Sequence, residues 1–483
     1  MPKYLTIILV FCSLLVTAQY PVAGQYQTIL STTPTIPAYA SSVEDTSVPE
    51  AITIRRITDY IPSWNWYPTH DYAKIQPWNA DGSLYKIRAL ALYDATTLQE
   101  YRDLPGGQIY PVYWSNTNSN LMYSFREDGK IKKYAVDTEV LETIDTISGY
   151  EIIKLGPGEG NIDKNDHYVA LVGKRGVDLD VIVYDLQLNE IVHTEIFAGA
   201  WGVGTQVPDY VDWISVSQSG DYVAIMWNHN TTSISNPFNT HYGIEVYNTT
   251  DMQYLRRIAR YGNHGDFGYA ASGDEVFVQF WGETGTINMY YLDRLERVVV
   301  SSHADFNSSG HISCRNLNRP GYAYVSQDYE DHSGQIIAIK LEAAGLVEHF
   351  GHHYNSYTYF AAIPVPTPNG EKVMFTSDFG NNSNPDEIYV FESSKSISSN
   401  IQNRESTSVN VFPNPVINEL NITNEDGITE IEFYSTYGVL VKRVEGNKTK
   451  MQQLNIIDLP PGFYLLKVKG SNSEFITSKI TKK

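Results

Sequence analysis

The chain has 483 residues, 55 of them acidic and 35 basic, with a formal net charge of −20 and two cysteines. From Glu405 to the end nine acids face nine bases, so the whole negative excess lies upstream. A body that acidic repels polyanions at long range, which excludes nucleic acid as a partner and demands a local basic or metal site for any anionic ligand.

The N-terminus reads as a signal peptide over residues 1–24. Lys3 precedes an uncharged apolar run from Tyr4 to Val16, and Val16, Thr17 and Ala18 are small enough for cleavage near Ala18 or Gly24. Export through Sec is therefore expected. That run is too short to span a bilayer, and no later stretch approaches the roughly 20 apolar residues a membrane helix needs. Cys12 lies inside the signal, so Cys314 stands alone in the mature chain and no internal disulfide can form.

Residues 25–50, rich in Thr, Ser, Pro and Ala, read as a flexible leader. From residue 51 to 393 a unit of about 50 residues repeats. Its anchor falls at Tyr93, Tyr134, Tyr184, Tyr247, Tyr290, Ile339 and Phe391. Each copy is a strand, a polar turn and a second strand, as in VIVYDLQLNEIV. Upstream of most copies stands another strand pair hinged on a turn glycine, as at Gly82, Gly220, Gly273, Gly321 and Gly370. Four strands per unit, seven units and no convincing helix predict an all-β chain whose first domain is a seven-bladed β-propeller. A β-helix repeats at much shorter intervals, and a sandwich does not repeat at all. The polar run over 394–408 is a linker. Residues 409–483, alternating strands with Pro and Gly at the turns, predict a small C-terminal β-sandwich. A monomer is expected.

Equivalent positions in different blades of a propeller converge on its central channel. His70 precedes Gly82 by 12 residues, His264 precedes Gly273 by 9 and His311 precedes Gly321 by 10, so three blades carry a histidine at nearly one station. His352 and His353 stand further ahead of Gly370. Imidazole and thiolate are ligands for zinc and similar divalent ions, so His311, Cys314 and His352 or His353, completed by His264 or Asp266, form a candidate metal site. The alternative is a buried, inert thiol among surface histidines. A second constellation, in WNWYPTHDYAKIQPWNADGS, offers Trp64, Trp66, Tyr67 and Trp78 as rings on which sugars stack, although aromatic residues also fill strands and blade interfaces. The chain lacks a G-x-S-x-G elbow, a P-loop and a dinucleotide fingerprint.

Phe412-Pro413-Asn414-Pro415, Gly438, Leu459-Pro460-Pro461-Gly462-Phe463-Tyr464 and the basic end Lys482-Lys483 resemble the C-terminal sorting domain of Bacteroidetes type IX secretion substrates. The resemblance implies that residues 409–483 engage the type IX machinery, and that the protein crosses the outer membrane to be secreted or held at the cell surface. SGHISCRNLNRPGYAYVS and FGHHYNSYTYFAAIPVPTPNGEKVMFTSDFG resemble blades of propeller polysaccharide lyases of the oligogalacturonate and ulvan lyase kind. That likeness implies β-elimination on uronate-containing polysaccharide; placement at the shared station, and no family motif, makes His70 or His264 the candidate base, with the metal either neutralising the carboxylate or bracing the blades. The competing expectation is a non-catalytic surface propeller that binds glycan or protein.

Overall fold

The computed structural model describes residues 23–24, 29, 31–59, 69–204, 206–228, 240–281, 286–301, 310–327, 334–356, 361–380, 386–393, 410–424, 427–435, 440–470 and 475–483. The expected signal peptide, except Ala23 and Gly24, and the expected linker lie outside the described residues, as do Trp64, Trp66 and Tyr67. The chain divides into two compact units, Met1–Lys395 and Ser396–Lys483.

In the first unit the described strands form seven antiparallel sheets that follow one another along the chain in a propeller-like arrangement. Sheets 2 to 5 each have four strands in sequence order. Sheet 3 is representative, with Ile152–Leu155, Tyr168–Arg175, Asp178–Asp185 and Glu190–Phe197 from the innermost strand outward. Sheet 1 has three strands between Leu84 and Asp103, and Trp78 bridges to Tyr85 at its inner edge. The repeat anchors all fall on the same strand of their sheets, the one after the turn-glycine strand, and all except Tyr93 are buried. Six of the seven anchors follow an apolar residue, Lys133 before Tyr134 being the exception, as a strand covered by sheets on both faces requires. The turn glycines are equally regular. Gly370, at φ +74°, sits so tightly that a Cβ there would strike the Tyr324 hydroxyl.

Each sheet shares an apolar cluster with the next, and the ring of contacts is complete. Sheets 5 and 6 meet at Val278, Met289, Ile312 and Val325, and sheets 6 and 7 at Tyr324, Ile336, Phe375 and Phe391. Trp78, Tyr85 and Ile87 of sheet 1 pack on Met374, Ile388 and Val390 of sheet 7. Gln76, just ahead of sheet 1, also donates to the carbonyls of Arg315 at 2.9 Å and Pro366 at 3.2 Å.

The closure uses a strand that the sequence reading does not place. The fourth strand of sheet 7 is Ile52–Arg56, which pairs with Glu387–Ser393, and Ser42–Asp45 adds a fifth beyond it. Ala23–Gly24 likewise extends sheet 6 along Val347–His352. Part of the expected flexible leader is therefore ordered sheet. The reason is local: Ile29, Ile36, Val43 and Val48 reach the core between sheets 6 and 7, and the Asp45 carboxylate accepts hydrogen bonds at 2.8 Å from both the backbone and the ring of buried His352. Burial raises the pKa of Asp45, but the hydrogen bond and charge of His352 outweigh it and hold the carboxyl below its ordinary value.

In the second unit Asn410–Phe412, Glu419–Thr423 and Met451–Asn455 make one sheet. Leu440–Glu445, Glu430–Ser435, Gly462–Lys469 and Phe475–Lys482 make another. Leu420, Ile422, Ile431, Phe433, Leu466 and Val468 join in one apolar core. No described helix is long and apolar enough to cross a membrane.

Removing one partner of a buried pair leaves the other charge uncompensated, so Asp45→Ala should lower the stability of the first unit by about 3 kcal/mol. Urea denaturation followed by tryptophan fluorescence measures this, and a change within 0.5 kcal/mol or so would mean that the leader is not fastened.

Candidate functional site at the inner strand ends

The stretch entering sheet 1 carries His70, Tyr72 and Lys74 and turns at residues 73–75, where Ile75 N–H donates to the Tyr72 carbonyl at 2.8 Å. His264 and His311 lie immediately ahead of Gly265–Tyr269 and Ile312–Ser313, the innermost strands of sheets 5 and 6. The structure brings these residues together. The rings of His264 and His311 stack at 4.6 Å, inclined by 27°. Tyr72 stands edge-on to His311 at 5.3 Å and to His264 at 6.4 Å. The Lys74 ammonium lies over Trp213 at 4.6 Å and over Tyr72 at 5.3 Å, and it pairs with Glu159 at 2.9 Å. Lys74 is 4% exposed, so its charge acts in a medium where it is little screened.

The imidazoles are not equivalent. His264 Nδ1–H donates to the Gly310 carbonyl at 3.0 Å, which leaves the Nε2 lone pair free to accept a proton. His70 Nδ1–H donates to the Asp71 carbonyl at 2.6 Å, and its Nε2 is buried without a hydrogen bond of good geometry. Burial lowers the His70 pKa to about 4, and burial with the charges of His264, Lys74 and His70 lowers that of His311 to about 3. Both rings are neutral at pH 7. Beside them a cavity of about 290 Å³ is lined by His70, Tyr72, Arg88, Tyr113 and Glu159 among others.

The expected metal set is not assembled. Both ring nitrogens of His352 are engaged, with Asp45 and with the Ile29 carbonyl, on the outermost original strand of sheet 6 and not at the station ahead of sheet 7. His353 donates to the Gln327 carbonyl and accepts from Asn355 N–H. Asp266 is taken by the Arg315 guanidinium, 3.0 Å from each oxygen, and by Cys314 N–H. Cys314 points into the core between sheets 5 and 6, in the space that the bare backbone of Gly268 leaves for it. There it acts as a small apolar side chain, and burial pushes its thiol pKa well above the ordinary value. His264 and His311 alone remain, and stacked rings hold their in-plane lone pairs side by side without aiming them at one ion. Among the described residues no three of His, Cys, Asp or Glu converge on a metal position. The residues do not fit the expected ion.

Trp78 is likewise closed to a sugar. It is 1% exposed and packs edge-on to Tyr85 at 5.4 Å between sheets 1 and 7. Sequence reasoning did not single out Lys74, although it follows His70 and Tyr72 at the same spacing of two.

Comparison with known proteins divides along the same boundary as the two units. The model of the "Secretion system C-terminal sorting domain" matches residues 410–483. The C-terminal unit is a type IX sorting domain. It directs the chain to the secretion machinery and out of the cell, to the surface or beyond. The first unit resembles propeller lyases in fold. A crystal structure of oligogalacturonate lyase from Vibrio parahaemolyticus superposes with TM-score 0.50 and 13% identity over 73% of this chain and 96% of that one. An oligogalacturonate lyase in complex with manganese gives 0.52 and 12%, over 76% and 99%. A search of curated sequences finds no match.

Because the folded pKa values of His70 and His311 lie below the unfolded value of about 6.5, the unfolded chain binds more protons between pH 6.5 and about 3. Stability is full above pH 6.5 and falls as the pH drops through that window. His311→Gln should flatten the fall between pH 6.5 and 4.5 in urea titrations, and an unaltered slope would contradict burial of a neutral ring. Cys314 should react with a thiol reagent only after unfolding, and Cys314→Ala should leave any bound metal unchanged, as metal analysis would register.

Proposed function

We propose that the first unit is a seven-bladed β-propeller acting on polysaccharide, a β-eliminating lyase for uronate-containing glycans that works at the inner strand ends. The C-terminal unit, a small β-sandwich, is its export address. The observation that carries this reading is the stacked His264–His311 pair with Tyr72 and buried Lys74 beside it. Elimination needs a base for the proton on the carbon next to the uronate carboxylate, a cation to stabilise the charge that develops on that carboxylate, and an acid for the departing oxygen. His264 Nε2 accepts the proton. The C–H electron pair becomes the new C=C bond, the glycosidic C–O bond breaks, and the leaving oxygen takes a proton from the Tyr72 hydroxyl. Lys74 faces the carboxylate, and neutral His311 keeps the His264 ring oriented. His70, which burial keeps neutral, lines the adjoining cavity and takes no proton in this scheme. The likeness in fold to the oligogalacturonate lyases supports the substrate class, and no step is routed through a metal.

The same reading places a signal peptide for Sec export over residues 1–24, a linker over 394–408 and a monomeric mature protein. The second reading, a surface propeller that binds glycan without cleaving it, is favoured by the Lys74–Glu159 ion pair, which already neutralises the cation the chemistry requires.

Incubating the purified protein with a panel of acidic polysaccharides, and following near-UV absorbance of unsaturated uronate, separates the two. Cleavage is expected, with His264→Ala and Lys74→Met each lowering kcat by about 10² or more. No product from any member of the panel, with binding retained, would establish the non-catalytic reading.

A further inference from the structure

A larger cavity, of about 600 Å³, opens on the outer rim between sheets 3 and 4, among the outermost strands and away from the inner strand ends. Its floor is Glu245, 1% exposed, whose carboxylate gathers four donors: His241 Nδ1–H at 2.7 Å, Trp227 Nε1–H at 2.8 Å, the Tyr247 hydroxyl at 2.9 Å and Arg257 Nη2 at 2.5 Å. His241 is stacked on Trp227 at 4.7 Å, and the Arg257 guanidinium lies 3.5 Å over the Tyr242 ring while donating to the Thr240 and Tyr242 carbonyls. Two side chains are thus locked in place with unused capacity. His241 Nε2 and Arg257 Nη1 remain, and among the described residues neither makes a hydrogen bond. Beside them Tyr254, on the edge strand Tyr254–Ala259, is 49% exposed.

We infer that this rim groove is a second binding site, for a neutral sugar residue of a glycan chain. A hydroxyl group both donates and accepts, which matches His241 Nε2 and Arg257 Nη1 together, and the C–H face of a pyranose packs on a ring such as Tyr254. The lining carries two carboxylates, Glu195 and Glu245, against one guanidinium, so its field disfavours a carboxylate or phosphate ligand. The volume falls in the range of small-ligand sites. The reading is independent of lyase chemistry. It asks only that the rim hold a sugar, whether or not the inner site cleaves one.

The test is calorimetric titration of the full-length protein with oligosaccharides of glucose, mannose, xylose and galactose, and with uronate oligosaccharides in parallel. Binding of at least one neutral series is expected. Tyr254→Ala and His241→Ala should each weaken it by about fivefold or more, while His264→Ala leaves it unchanged. Tyr254 lies half-exposed on an edge strand, so its replacement spares the fold, and a thermal melt verifies this. No neutral binding, binding restricted to the uronate series, or neutral binding indifferent to Tyr254→Ala would each overturn the site. Loss of unsaturated product in the lyase assay with neutral-sugar binding intact would remove the lyase reading alone.

Discussion

The first unit depends on pairing between its two ends. A circle of sheets is stable only if the last packs on the first, and here the sheet that completes the circle takes its inner strands from residues 365–393 and its outer ones from Ile52–Arg56 and Ser42–Asp45. More than 300 residues separate the partners, and the loop-closure entropy of that separation must be offset by side-chain burial. Ile54 and Phe391, both fully buried, supply it, as does the contact of Trp78 and Tyr85 with Ile388 and Val390 across the seam. Once the seam closes, the inner strand ends of all the sheets are fixed relative to one another. A stacked pair such as His264 and His311, drawn from neighbouring sheets, can then be held without any bond between them.

The electrostatics follow from the same closure. Burial keeps His70 and His311 neutral, while Lys74, equally buried, is matched by Glu159 and rests on aromatic faces. Neutral bases beside a desolvated cation make an environment that discriminates by charge over a few ångströms, in a body whose overall charge would repel the same ligand at a distance. The rim groove has the opposite character, since its single guanidinium is tied to a buried carboxylate and its remaining polarity suits uncharged hydroxyls.

Much of the architecture was legible because it repeats. Seven apolar anchors spaced by about 50 residues pick out one strand of every sheet, and the turn glycines pick out the strand before it. The histidine station ahead of the inner strands was legible for the same reason, as His264 and His311 show. The failures occur where repetition stops. The closing strand belongs to no repeat and sits next to a Thr-, Ser- and Pro-rich stretch that looks unstructured taken alone. His352 and His353 stand 18 and 17 residues ahead of Gly370, further than the 9 to 12 of the other histidines, and they lie at the end of a strand of the preceding sheet, because enrichment along the chain does not say on which side of a turn a residue falls. Cys314 follows His311 by three residues, and alternation of the intervening strand turns it into the core against Gly268.

Among the described residues every ladder of the first unit is made from strands between Ala23 and Ser393. Proteolytic removal of residues 410–483 would therefore leave every described rung of the circle in place.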